Sequence, residues 1–176
     1  LSSSQNTPQN FKTDVANDIV FPYVASSTET SYFYSNILAS MGSKTVEKSS
    51  TYNTSGQVTD STITTSGDGK QYTVSTHNTI ISYYNTRRQG EIIRAEVTSS
   101  SSLNTPAITR TSSFDYDWTK GKLIQEVIEP DESDPSIRRV TNYGYDDDEG
   151  NFGNRTSTVT CNGDYVHDCT TNTPEA

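Results

Sequence analysis

Chemistry in this chain has few residues to work with. His77 and His167 are the only histidines, and Cys161 and Cys169 the only cysteines. Seven residues separate the two cysteines, a short loop that a disulfide closes readily in an oxidising compartment. The Ser/Thr-rich, Lys-poor surface leads us to expect that bond rather than two free thiols. His167 lies between them, so a Cys161/His167/Cys169 zinc site is conceivable. Asp164 and Asp168 lie beside His167, but zinc sites normally take four ligands at tighter spacing. The run Asp146-Asp147-Asp148-Glu149-Gly150-Asn151 offers oxygen ligands for a hard cation such as calcium. It lacks the closing acidic residue of an EF-hand loop, so a solvated acidic turn is the expected reading. A serine nucleophile needs a histidine base and a structured elbow, and no G-x-S-x-G is present. Glu126, Glu129 and Asp131 could form carboxylate pairs, but nothing sets them apart from exposed strand and loop charges. Gly67-Asp68-Gly69-Lys70 has the wrong spacing for a phosphate loop and reads as a hairpin turn between 62–66 and 71–76. Trp118 and the tyrosines could stack on a sugar, though a packing ladder on a sheet is the commoner use of such residues. Asn53-Thr54-Ser55 and Asn154-Arg155-Thr156 are N-glycosylation sequons at Asn53 and Asn154, used only by a host that modifies them. The expectation is a non-enzymatic chain with no metal and no cofactor.

The elements that hold these residues show an internal repeat. Four places read Tyr, Asn or Asp, a gap, Gly, a polar residue, an apolar residue. They are Tyr52-Asn53 with Gly56-Gln57-Val58, Tyr84-Asn85 with Gly90-Glu91-Ile92, Tyr116-Asp117 with Gly121-Lys122-Leu123, and Tyr145-Asp146 with either Gly150-Asn151-Phe152 or Gly153-Asn154-Arg155. The tyrosines are 32, 32 and 29 residues apart. Each copy makes sense as a hairpin. Tyr ends one strand, and the short Asn or Asp side chain can bond the backbone two residues on and start a turn. Glycine then supplies a positive φ, and the polar–apolar pair starts the returning strand.

The flanks alternate as strands do. Ile93, Ala95 and Val97 oppose Arg94, Glu96 and Thr98. Leu123, Gln125 and Val127 oppose Ile124, Glu126 and Ile128. Phe114, Tyr116 and Trp118 share a face, as do Tyr143 and Tyr145. Pro130 and Pro135 bracket an acidic loop, Asp131 to Asp134. Thr98–Leu103 reads as a loop or an edge. The best helical candidate, Asn36–Glu47, is interrupted by Gly42 and Ser43.

Composition agrees with thin sheet. Ser and Thr together supply 52 of 176 residues, 30% are hydrophobic, and 11 are Tyr. Thr suits a wet strand face and is poorly tolerated in long helices. The net charge of −9 disfavours nucleic acid and anionic membrane as partners. No segment approaches the roughly 18 apolar residues of a membrane helix, so no membrane insertion by a helix is expected. The chain opens on Leu1 with no visible signal peptide, and the expectation is a processed or excised piece.

With those residues in view, the chain resembles the YD-repeat, or RHS-repeat, family of bacterial secreted proteins. Phe114-Asp115-Tyr116-Asp117 with Gly121-Lys122-Leu123, and Tyr143-Gly144-Tyr145-Asp146 with Gly153-Asn154-Arg155-Thr156, fit the family's Tyr-x-Tyr-Asp…Gly hallmark. The first two copies carry Asn in place of Asp. Glu129-Pro130-Asp131 and Val20-Phe21-Pro22-Tyr23-Val24 are similar to the insecticidal toxin-complex branch. The motif resemblance covers about residues 50–160. It implies a long β-sheet of the kind that spirals into a hollow shell around a toxic payload. Four repeats are too few to close a shell, so the sheet is what carries over.

The expectation is therefore an all-β antiparallel meander of repeated hairpins, thin or elongated. Residues 1–20 form an extended N-terminal arm, and 21–176 a single β domain with repeats near 52–58, 84–92, 116–123 and 145–156. The expected role is a structural module of a secreted, extracellular or cell-surface protein. It would join through sheet edges with the remainder of a larger chain or with copies of itself. Two alternatives are a fibre subunit that donates residues 1–20 as a strand, and a carbohydrate-binding adhesin module that takes glycans as partners.

Overall fold

The computed structural model describes residues 2–14, 19–34, 40–82, 89–103, 106–117, 119–134, 136–146 and 153–162. They form ten strands: β1 (Ser2–Asp14), β2 (Ile19–Tyr34), β3 (Ser40–Tyr52), β4 (Val58–Gly67), β5 (Lys70–Ser82), β6 (Gln89–Ser101), β7 (Ile108–Tyr116), β8 (Leu123–Ile128), β9 (Arg139–Tyr145) and β10 (Arg155–Asn162). Every strand pairs antiparallel with its neighbours in sequence, giving one open meander from β1 to β10. No helix occurs among the described residues. The all-β, hairpin-meander expectation is what the molecule shows. Over Ser2–Asp14 the N-terminal arm is the first edge strand of this sheet, paired with β2.

Two sequence readings change. Thr98–Ser101, read as a loop or edge, continues β6, and Thr98 and Ser99 are paired on both sides, with β5 and with β7. A run of serines carries a full set of backbone donors and acceptors, and those suffice for a ladder whose side chains stay wet. The interrupted helical candidate is strand from Ser40 onward, with Gly42 at φ +132° opposite Phe33. Asn36 to Ala39 lie outside the described residues.

The polar composition becomes a hydroxyl-lined face. Hydroxyls meet across strands at Thr30–Thr45 (3.2 Å), Thr62–Ser75 (3.3 Å), Thr64–Thr73 (3.3 Å) and Thr98–Thr109 (2.8 Å). Gly67 pairs with Lys70 around Asp68 (φ 51°) and Gly69 (φ 71°), the two-residue Asp-Gly turn expected from the sequence.

Among the described residues full apolar burial is confined to one place. Among the described residues only Val127, Val140 and Cys161 are buried apolar side chains, with Val140 1% exposed. They stand in one row across the sheet: Val127 opposite Val140, and Val140 opposite Cys161. The β8–β9 connection is tied down beside them. Glu129 accepts from Arg110 Nη1 (3.1 Å) and from the Thr111 N–H (3.4 Å), and its own N–H donates to Thr111 O (2.8 Å). Arg94 on β6 reaches Asp131, and Arg138 Nη2 donates to the Glu132 carbonyl (2.8 Å). The acidic loop thus reaches back across β7 to β6.

Candidate functional site

Strand alternation puts every motif turn at the same end of the sheet. The turns join β3 to β4, β5 to β6, β7 to β8 and β9 to β10. This row of turns is the one repeated chemical device among the described residues.

The three turns with a described Asn or Asp share one closure. The N–H of that residue donates to the carbonyl of the residue after the glycine: Asn53 to Gln57 (2.9 Å), Asp117 to Lys122 (2.8 Å), Asp146 to Asn154 (3.0 Å). This assigns the fourth repeat to Gly153 rather than Gly150. The loop inside the closure varies in length, and the closure does not. All four glycines are in the left-handed region: Gly56 (79°), Gly90 (88°), Gly121 (74°) and Gly153 (67°). In the first and third repeats the Asx side chain caps the turn. Asn53 Oδ1 accepts from the N–H groups of Ser55 (2.9 Å) and Gln57 (3.0 Å). Asp117 Oδ1 accepts from the Thr119 hydroxyl (2.6 Å) and N–H (2.8 Å). The Thr119 hydroxyl is the main reason the Asp117 carboxyl titrates below the usual carboxylate range.

After each glycine the returning strand carries the same bulge. Val58, Leu123 and Arg155, each two residues past the glycine, pair with Tyr52, Tyr116 and Tyr145. The next residue (Thr59, Ile124, Thr156) is skipped. In the second repeat Ile92 pairs with Ile80, and Ile93 is skipped. Ile80 thus holds the place of the motif tyrosine there, while Tyr84 and Asn85 lie outside the described residues. The register between repeats is also constant. The residue four past a glycine faces the residue three before the next motif position: Asp60 with His77, Arg94 with Ser113, Gln125 with Asn142. Two of these pairs are bonded, His77 Nδ1 with Asp60 (2.6 Å) and Gln125 Nε2 to Asn142 Oδ1 (2.8 Å). The Asp60 contact raises the His77 pKa and lowers that of Asp60.

Each repeat is stitched to the one before it. The carbonyl two past the glycine takes a side-chain donor from the next strand: Val58 from Asn78 Nδ2 (3.2 Å), Ile92 from the Tyr116 hydroxyl (3.0 Å), Leu123 from the Tyr145 hydroxyl (2.8 Å). At two of the three steps between repeats, the polar residue one past the glycine lies over the next repeat's glycine. A Cβ on Gly90 would fall inside the Gln57 amide, and one on Gly153 inside the end of Lys122. Lys122 Nζ also sits 5.1 Å from the centre of the Tyr145 ring. The motif's Tyr, Gly and polar residue therefore serve the neighbouring repeat as well as their own turn. Tyr145→Phe removes a half-buried hydroxyl from the Leu123 carbonyl and is expected to cost about 1 kcal/mol in urea unfolding. Tyr23→Phe, which loses an exposed bond to Gln9 (3.0 Å), is expected to cost little.

The remaining sequence candidates do not converge. Trp118, Asp147 to Glu149, His167 and Cys169 lie outside the described residues. Cys161 is buried on β10, and His77 is paired with Asp60 on the sheet. No group of three or more His, Cys, Asp or Glu that could hold a metal occurs among the described residues. Asn53 Nδ2 donates to Gln57 Oε1 (2.7 Å), which leaves one of its two hydrogens for a glycan to replace, whereas Asn154 is exposed. Sequence reading offered Glu129 only as one of several carboxylates and missed its pairing with Arg110 across the β7–β8 hairpin, which no local pattern announces.

No family model, no curated protein and no solved structure matches this chain.

Proposed function

We propose that this chain is a non-enzymatic structural β module, joined through its sheet edges to the remainder of a larger chain or to copies of itself. The observation that carries this reading is the open ten-stranded meander with so little buried apolar surface. Full burial contributes about 1.5–3 kcal/mol per large apolar side chain, while ordering costs about 1–2 kcal/mol per residue. The chain exposes 12400 Å², against about 8500 Å² expected of a compact monomer of this mass. Exposed apolar side chains such as Phe33, Tyr72, Leu103 and Ile108 add to the surface that a neighbour could cover. Among the described residues β1 pairs only with β2 and β10 only with β9, leaving two strand edges of the kind that recruit further strands. The same two edges support assembly into a fibre. As a donor strand, Ser2–Asp14 would first have to leave β2.

The reading includes a secreted or cell-surface location, with Cys161 and Cys169 closing a disulfide there, and it resembles the YD-repeat architecture in its tandem Tyr–Asx–Gly hairpins. The test is thermal unfolding of the chain across a hundredfold concentration range, alongside light scattering. Association should raise Tm with concentration. Thr158→Lys, which places a charge on the exposed β10 edge, should reduce that dependence. A high Tm independent of concentration in a strict monomer would show that the sheet needs no neighbour and overturn the proposal.

A further inference from the structure

Three consecutive carbonyls, those of Val58, Ile92 and Leu123, each take a donor from the following repeat. The fourth residue in that series is Arg155, on the last strand of the sheet. It pairs with Tyr145 in the register that Leu123 keeps with Tyr116, and the same bulge follows it. In that register the Leu123 carbonyl points away from β7 toward the next repeat. The Arg155 carbonyl accordingly points away from β9, across the outer edge of β10. Asn154 occupies the position from which Gln57 and Lys122 cover the next repeat's glycine.

Resting on the structural-module reading, we infer that the β10 edge is a receptor for one kind of partner: a further hairpin repeat whose first strand ends in Tyr–Asx and whose turn carries a positive-φ glycine. The incoming tyrosine hydroxyl donates to the Arg155 carbonyl. The incoming glycine lies beneath Asn154, where any larger residue would meet the side chain. The constant inter-repeat register fixes the alignment. Ser157, four past Gly153, faces the residue three before the incoming tyrosine, as Gln125 faces Asn142 and Arg94 faces Ser113. A second copy docking by β1 does not satisfy this edge, because Ser2–Asp14 contains no tyrosine. The edge therefore discriminates: strand addition alone gives affinity, and the tyrosine and glycine set which strand is taken.

The test presents the full chain with a synthetic hairpin bearing the sequence of residues 108–128, in which Tyr116 and Gly121 play the incoming roles. Two control hairpins carry Tyr116→Phe and Gly121→Ala. Binding is read by anisotropy of the labelled hairpin and by NMR contacts on the isotope-labelled chain. The expected result is saturable binding at β10 with Ser157 opposite Ser113 of the hairpin. The Phe hairpin should bind about three- to tenfold more weakly, the loss of one hydrogen bond in a partly dry site. Equal affinity of the Tyr and Phe hairpins would overturn the inference while leaving edge association standing. Binding at another strand, or no binding, would overturn it as well. The concentration dependence of Tm, measured on the chain alone, judges the underlying reading separately.

Discussion

Gly90→Ala is expected to destabilise the chain by about 2–3 kcal/mol, more than an ordinary turn glycine. Two effects add. At φ +88° an alanine bears the left-handed penalty of about 1–2 kcal/mol. Its Cβ would also occupy the space of the Gln57 amide, which holds Asn53 in the preceding turn. Displacing that amide gives up the Asn53–Gln57 bond, about 1 kcal/mol. Gly69→Ala is the control: its φ is +71°, but nothing lies within 4 Å of the added Cβ. It should show the backbone penalty alone. A double-mutant cycle with Gln57→Ala isolates the steric part, because shortening residue 57 makes room for the new methyl. If urea unfolding gives equal losses for Gly90→Ala and Gly69→Ala, or no coupling between positions 57 and 90, the interlock between repeats is wrong.

How far a sequence reveals such a structure depends on the range of the interaction. The Asx–Gly turns were legible because all their parts lie within a few residues: a short side chain that bonds the backbone two positions on, and a glycine that accepts positive φ. The Asp68-Gly69 hairpin was legible for the same reason. The tyrosine's second role was not, since its hydroxyl travels to a carbonyl 22 or 24 residues earlier. Spacing counted on tyrosines was misleading in the second repeat, where Ile80 holds the structural place. The glycines 56, 90, 121 and 153 hold the same structural place in all four repeats, because their positive-φ backbone conformation cannot be borrowed by a neighbour. An aromatic ring packed on an open sheet can be replaced by another apolar side chain. Thr98–Ser101 was obscure because hydroxyl side chains say little about backbone pairing. Nothing local distinguished Glu129 from the acidic residues that follow it.

That carboxylate is where the second large effect is expected. Glu129 is 5% exposed and sits at φ +53°, a conformation that non-glycine residues adopt at a cost. Its two oxygens take donors from Arg110 and from the Thr111 backbone, and Thr111 is itself buried. Glu129→Ala removes both acceptors and leaves a buried N–H with a weakened set of partners, for an expected loss of about 2–3 kcal/mol. Arg110→Ala should cost less, about 1 kcal/mol, because two-thirds of the arginine side chain is in water and the ion pair is screened. Glu129→Gly gives the sharper test. In most strand-flanking positions glycine is worse than alanine, by its greater freedom in the unfolded chain. Here the positive φ reverses the order, and the glycine variant should be more stable than the alanine variant by roughly 1 kcal/mol. The Arg94–Asp131 contact, two residues further along the same loop, should loosen in both variants. Its loss would show as faster backbone amide exchange over residues 131–134 with β1 to β5 unchanged. Alanine and glycine variants of equal stability would mean that the loop relaxes out of the left-handed conformation once the carboxylate is gone. The carboxylate, rather than the turn, would then be what shapes the β8–β9 connection.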